Sequence, residues 1–521
     1  MLQPSLTYRN LLRWNVQSWL GNYKATTLDE LWIGLLALEA LLIVGVFSLR
    51  ALETVGWRTQ KSRFMRSYTI PPSSGIYDIA HPDDLPSDTE IVDCTDKIIS
   101  PGFIDTHRHG WQTALKTLIP NTTLPAYLYQ FAGVASSHIY SADDVYLGQL
   151  TGLLEALNAG VTTSLDHAHH IWSKETADAG FQASVDSGAR VYWCHGFITH
   201  GDYSLTDQIA NFRKLAKSSQ TSGLVTVGAA FDGWTVSPPE DVNAVVSVIK
   251  ETKIPVLTTH YLGGPWMVNN SPELFQRLGL LDTRMAVVFS HATDITATEA
   301  KLLRSASQFI SITPESEMHY GHGHATAHLV QEQASLGVDT FSTFSTDLLT
   351  QARLWLQRTR SRLFDHVLAG WKLPANNPMS ANQAFLLATR QGARALRRPD
   401  LGVLRPGAKA DLVVFDGRSP GMLGWRDPVA AVVLHAGVGD IEHVLVDGKF
   451  RKRDGKLTYE NYDELAGRFL ASAERLQKKA VESPAPVLEG RFWGGCEFGY
   501  APEVNISRGS GTGYGKQFLE K

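Results

Sequence analysis

Half of the eighteen histidines in this 521-residue chain fall into three clusters: two at 107–109, three at 167–170 and four at 319–328. Clustered imidazoles suit a metal site or a polar pocket. The sharpest signal is His107-Arg108-His109. On an extended strand, residues i and i+2 point to the same side, so both imidazoles can converge on one ion while Arg108 turns away. A borderline cation such as Zn²⁺ takes three or four N/O ligands and leaves a place for water. His260 and Asp339, each closing an apolar run, can complete the set. An ion so held lowers the pKa of its water toward ~7, which gives hydroxide at neutral pH. His167 and His169 repeat the spacing, and lining the pocket is preferred there to a second metal.

Those residues need a scaffold that brings them together. From about residue 98 the chain alternates between short apolar runs and helical patterns: 97–107, 161–167, 190–195, 224–232, 255–260, 286–291, 309–314 and 335–339. Continuous apolar character suits parallel strands buried on both faces. Between the runs, Ser141–Asp144 reads as a capping box, Leu147, Leu150, Leu154 and Leu157 share a face, and Gly160 marks a stop. Thr296 and Glu299 offer a second start. Eight such units predict an α/β fold, a (β/α)8 barrel with right-handed crossovers. Seven runs end in His or Asp: His107, His167, His195, Asp232, His260, His291 and Asp339. Barrel enzymes carry their active sites at that edge.

Composition removes several other classes. With 43% hydrophobic and 19% charged residues the chain can bury a sizeable core, so general disorder is excluded. A net charge of −4 offers no basic field for phosphate backbones, which disfavours nucleic-acid binding. Cys94, Cys194 and Cys496 make neither a disulfide framework nor a zinc-ligand pattern, as expected of a reduced, cytoplasmic protein.

PGFIDTHRH, the strand-end His260, SHATDIT with His291 and SLGVD with Asp339 together resemble the amidohydrolase superfamily, in its cytosine-deaminase-like and chlorohydrolase-like group. The resemblance continues through NQAFLLATRQGARAL, LGVLRPGAKADLVVFD and DPVAAVVLHAGVGDIEHVLVDGK, covering roughly residues 70–460. It implies one divalent ion, zinc with iron as the alternative, bound by His107, His109, His260 and Asp339. It also implies that His291 binds the water or substrate oxygen and that Asp339 shuttles protons. The activity implied is hydrolysis of a C–N bond in a small molecule (amide, cyclic amide or amino-heterocycle). A C–Cl hydrolase, or a catalytically idle barrel serving as a binding or assembly module, is the alternative.

Two departures from the family pattern bear on mechanism. The segment LVTVGAAFD contains no Lys, so the carboxylated-lysine bridge of binuclear members is missing and a single ion follows. The place three residues after His260, where many deaminases of the group carry Glu, holds Gly263. Glu317 is the candidate substitute proton carrier, facing the metal-bound water, with His319 or Asp347 next in line. Asp347 is also the rival of Asp339. Trp111, Gln112, His167, His169 and His319 are expected to line the substrate mouth, while His322, His324 and His328 read as a solvated loop.

The resemblance further implies a small β-sandwich from both chain ends, at 67–96 and 400–460, flanking a barrel at 97–399. DLVVFD, AVVLH and HVLVDGKF read as its short strands. A C-terminal helix and extended tail fill 461–521. Residues 1–66 form an atypical extension whose apolar run 31–49 is broken only by Glu39. A run of that length can span a bilayer and would leave the catalytic part cytosolic. A helix packing on the main domain is the preferred reading, with a gene-model artefact a third. The expected partners are a small-molecule substrate, a membrane if 31–49 inserts, and a second copy of the chain in a homo-oligomer.

Overall fold

The computed structural model describes residue 76 and residues 90–199, 201–219, 223–323, 326–340 and 342–502. The extension 1–66 with its apolar run 31–49 lies outside the described residues. Among the described residues, no helix is long and apolar enough to cross a membrane.

Eight parallel strands pair in strict chain order: β2 (Phe103–Arg108), β3 (Val161–Ala168), β4 (Arg190–Phe197), β5 (Val225–Phe231), β6 (Val256–Leu262), β7 (Ala286–Thr293), β8 (Phe309–Ile312) and β9 (Ala334–Leu336). Every residue of β2, β3, β4 and β7 is buried, as parallel strands between a barrel interior and covering helices must be. The last strand returns to the first. Arg108 and Asp339 form a parallel bridge, Val338 N donates to His107 O at 3.0 Å, and His109 N donates to Asp339 O at 3.2 Å. This is the (β/α)8 barrel, and its closing seam runs through His107, His109 and Asp339.

The helices begin where local chemistry dictates. Ser141 and Asp144 cap Ala142–Asn158 reciprocally, Thr296 and Glu299 do the same for Ala297–Ala306, and Gly160 (φ 81°) turns the chain into β3.

Beside the barrel lies a five-stranded antiparallel sheet, ordered β1 (Ile98–Pro101), β10 (Leu412–Phe415), β11 (Ile441–Val446), β12 (Lys449–Arg453) and β13 (Lys456–Leu457). Two details differ from the sequence reading. The run 97–107 is two strands, one in each sheet, broken at Gly102, where a Cβ would come within 2.1 Å of Thr162 Oγ1. AVVLH is not a strand. Asp427 accepts hydrogen bonds from Val429 N and Ala430 N, Pro428 presets the first turn, and residues 428–435 are helical.

Candidate active site

Four side chains meet at the seam. The Nε2 atoms of His107 and His109 stand 3.2 and 3.1 Å from Asp339 Oδ1, and His260 Nε2 lies 3.3 Å from His109 Nε2. All four candidate ligand atoms lie within 4.8 Å of one another. Ligands placed 2.0–2.1 Å from a tetrahedral ion are separated by roughly 3.3 Å, so the spacing fits a first-row divalent cation.

The hydrogen bonds behind the ring nitrogens show that the set is prepared for one. His109 Nδ1 meets the His167 carbonyl at 2.9 Å, and a carbonyl only accepts, so Nδ1 carries the proton. His260 Nδ1 donates in the same way to Asp232 Oδ2 at 2.8 Å. With Nδ1 committed in both rings, the Nε2 atoms of His109 and His260 are left facing each other, an arrangement that a cation between them satisfies. His107 Nδ1 is held by Ser290 Oγ at 2.7 Å, and Ser316 Oγ donates to Asp339 Oδ2 at 2.5 Å, leaving Oδ1 toward the imidazoles. Burial pushes the His107 pKa well below the usual imidazole value, which keeps the ring neutral and able to ligate. Burial opposes ionisation of Asp339, yet the flanking His107 and His109 hold its carboxyl well below the ordinary carboxylate range. These residues fit a divalent-metal site.

Sequence reasoning missed the part played by Asp232. Its Oδ1 accepts from His260 N at 2.8 Å and from Thr259 Oγ1 at 3.1 Å, while Oδ2 sits between His260 Nδ1 and His167 Nε2 (3.3 Å). The only signal was its place at a strand end. Asp232 fixes the tautomer and tilt of His260, and replacing it with Asn should lower divalent-metal affinity about 10–100-fold. Competition with a metallochromic chelator measures this, and an unchanged dissociation constant would refute the role.

His291, at the end of β7, has its ring 5.1 Å from that of His107 and 5.7 Å from that of His260. Its Nδ1 meets Thr313 Oγ1 at 3.0 Å and Glu317 Oε1 at 3.4 Å. Glu317 Oε1 also accepts from Thr313 N at 2.8 Å. Glu317 thus reaches the centre through His291, from behind the ring. His291 (φ 68°) and Asp339 (φ 69°) both have left-handed backbone, which costs non-glycine residues of order 1–3 kcal/mol each. His291 stands where the register of β7 against β6 shifts and Asp339 three residues past β9, and at both the strain falls where the site is built.

Other expected site residues fall elsewhere. Trp111 is wholly buried among Tyr140 and Trp172, and its Nε1 donates to His169 Nδ1 at 3.0 Å. It locks His169, which stacks on His109 at 4.0 Å, rather than lining a mouth. Gln112 is likewise interior, donating to Phe131 O and accepting from Tyr127 OH. Asp347 caps helix Leu348–Ala369 through Thr350 N at 2.6 Å, which accounts for its carboxylate. His195 packs against Phe212 of helix Leu205–Ser219, on the outer side of its strand. His319 is half-buried beside Tyr320 and Phe344. His322 is buried, with its ring 4.6 Å from that of His291, while His324 lies outside the described residues. In the C-terminal segment, Phe492 packs on Trp266 and Tyr129.

Comparison with known proteins gives this geometry its context. The chain is 26% identical over 377 residues to a 5-methylthioadenosine/S-adenosylhomocysteine deaminase of Thermococcus sibiricus, covering 69% of this chain and 83% of that one. Among solved structures, a zinc-bound adenosine deaminase from Xanthomonas campestris superposes with a TM-score of 0.65 at 19% identity, covering 74% and 87% of the two chains. A zinc complex of atrazine chlorohydrolase from Arthrobacter aurescens gives 0.62 at 20% identity, covering 73% and 88%. These two likenesses establish the fold. The model of the amidohydrolase family matches residues 98–451, the whole barrel and most of the small sheet. The chain belongs to the amidohydrolase family, as an enzyme that hydrolyses carbon–nitrogen bonds other than peptide bonds.

Proposed function

We propose that this hydrolase deaminates an amino-heterocycle at a single zinc ion held by His107, His109, His260 and Asp339. The observation that carries the reading is the convergence of three Nε2 atoms and one carboxylate oxygen, two of the imidazoles fixed as ligand tautomers. When bound, the ion supplies Lewis acidity that brings the ionisation of water toward neutral pH. Asp339 accepts the proton that the attacking water gives up, and Ser316 steadies its other oxygen. His291, backed by Glu317 and Thr313, hydrogen-bonds the attacking oxygen and aims it at the sp² carbon, while the electron pair displaced from the C=N bond moves onto the ring nitrogen. Of the two protons that the water gives up, one passes to the ring nitrogen and the other to the departing amino nitrogen, so water and the amine become a ring carbonyl and ammonia.

Deamination is favoured over opening of a cyclic amide by the curated relatives, whose names are those of nucleoside deaminases. Gly263, at the position where that chemistry commonly uses Glu, sets this chain apart within the group. The test is ammonia release by zinc-loaded protein from adenosine, 5-methylthioadenosine, guanine and aminotriazines, run beside loss of a lactam chromophore. Ammonia with no lactam opening is expected. Lactam opening without ammonia, or full activity after complete zinc removal, would overturn the proposal.

A further inference from the structure

His322 belongs neither to the metal quartet nor to the His291–Glu317 pair. It is 5% exposed, and neither ring nitrogen has a hydrogen-bond partner among the described residues. Native proteins rarely bury an imidazole with both nitrogens unserved, and such groups mark a place where something else supplies the partner. Its placement is built. Helix Pro314–Tyr320 ends at Gly321 (φ 79°), and Gly323 follows at φ 73°. Left-handed backbone on both sides turns the chain sharply, and glycine adopts it without strain.

The carbonyl of His322 accepts from Trp266 Nε1 at 3.1 Å. Trp266 lies in the loop after β6, the same loop in which Gly263 stands. The His322 ring is perpendicular to that of His291, centroids 4.6 Å apart, and parallel to Tyr320 at 6.1 Å. Burial, with His291 adding to it, pushes its pKa down to about 3, so the ring is neutral at pH 7 and offers one donor and one acceptor.

We infer that His322 is a substrate-binding residue whose imidazole hydrogen-bonds the polar edge of an amino-heterocycle presented to His291. The identity of the ligand rests on the deaminase reading. Trp266 beside it, partly buried, provides an aromatic face suited to a flat ring, while the core residue Tyr320 backs the imidazole.

The experiment measures turnover of the amine panel above and calorimetric binding of the same compounds to zinc-loaded wild type, His322→Ala and His322→Gln. For the best substrate, His322→Ala should raise KM about tenfold or more with a smaller change in kcat. His322→Gln, which keeps a donor and an acceptor, should recover most of that loss. Zinc content should equal that of wild type in both, which also reports that the variants fold. A KM within twofold of wild type in a zinc-replete His322→Ala overturns the inference and leaves the deaminase reading standing. If no panel member releases ammonia but one binds, and His322→Ala weakens that binding about tenfold, the deaminase reading fails and the His322 contact stands. Absence of both turnover and binding overturns both.

Discussion

Replacing His107 with Ala is expected to reduce bound zinc to less than about one-tenth of an equivalent and to lower turnover by at least ~10³-fold, because Lewis acidity contributes several kcal/mol to such reactions. His107 is completely buried, with Ser290 behind it and the Asp339 carboxylate in front. Its removal leaves Asp339 facing only His109 of the two seam imidazoles, and no neighbouring imidazole of the quartet can move in, since the Nδ1 atoms of His109 and His260 are already committed behind their rings. Asp339→Asn should be at least as damaging, because it removes a ligand and the proton acceptor together. Elemental analysis with a steady-state rate on the best panel substrate reads both effects. A folded His107→Ala protein that keeps its zinc and its rate would remove the site from this place. One that loses its zinc but keeps its full cellular role would favour the idle-barrel alternative.

The barrel and the quartet were legible in the sequence because both follow from short-range rules. Buried parallel strands write themselves as continuous apolar runs, and strand ends announce themselves by the first ionisable residue. What escaped depends on which way a strand-end side chain turns. His195 and His260 look alike in the sequence, each closing an apolar run, yet His195 packs outward on Phe212 and His260 faces the centre. When both faces of a strand are buried, alternation no longer separates inside from outside. Asp339 is legible from its place at the end of an apolar run, but the backbone that delivers it carries no sequence signal. Its strand ends at Leu336, and left-handed backbone at Asp339 itself turns the carboxylate inward. Trp111 and Gln112 follow the His-x-His triplet so closely that they read as pocket residues. The short helical segment Gly110–Leu115 carries them into an interior cluster with Tyr127 and Tyr140 instead. Asp232 and His322 carry no spacing signal, because their partners are 28 and 31 residues away in sequence.

His291→Ala should lower kcat by ~10²–10³-fold while zinc content stays at the wild-type level, the range seen when one preorganised hydrogen-bond donor is removed from a reacting centre. The ring is 2% exposed and does not belong to the four-residue ligand set, so its loss separates transition-state stabilisation from metal binding. Glu317 tests the same arrangement from behind. Its carboxylate contacts the Nδ1 side of His291 and the backbone of Thr313, so it positions the imidazole with its other nitrogen toward the centre. Glu317→Gln keeps an acceptor for Thr313 N but removes the negative charge, and kcat should fall about tenfold, less than for His291→Ala, with KM unchanged. The double variant should be no slower than His291→Ala alone, because a residue acting through another has nothing left to act on once that residue is gone. A Glu317→Gln effect as large as that of His291→Ala, and additive with it, would show that the carboxylate meets the substrate or the attacking water directly.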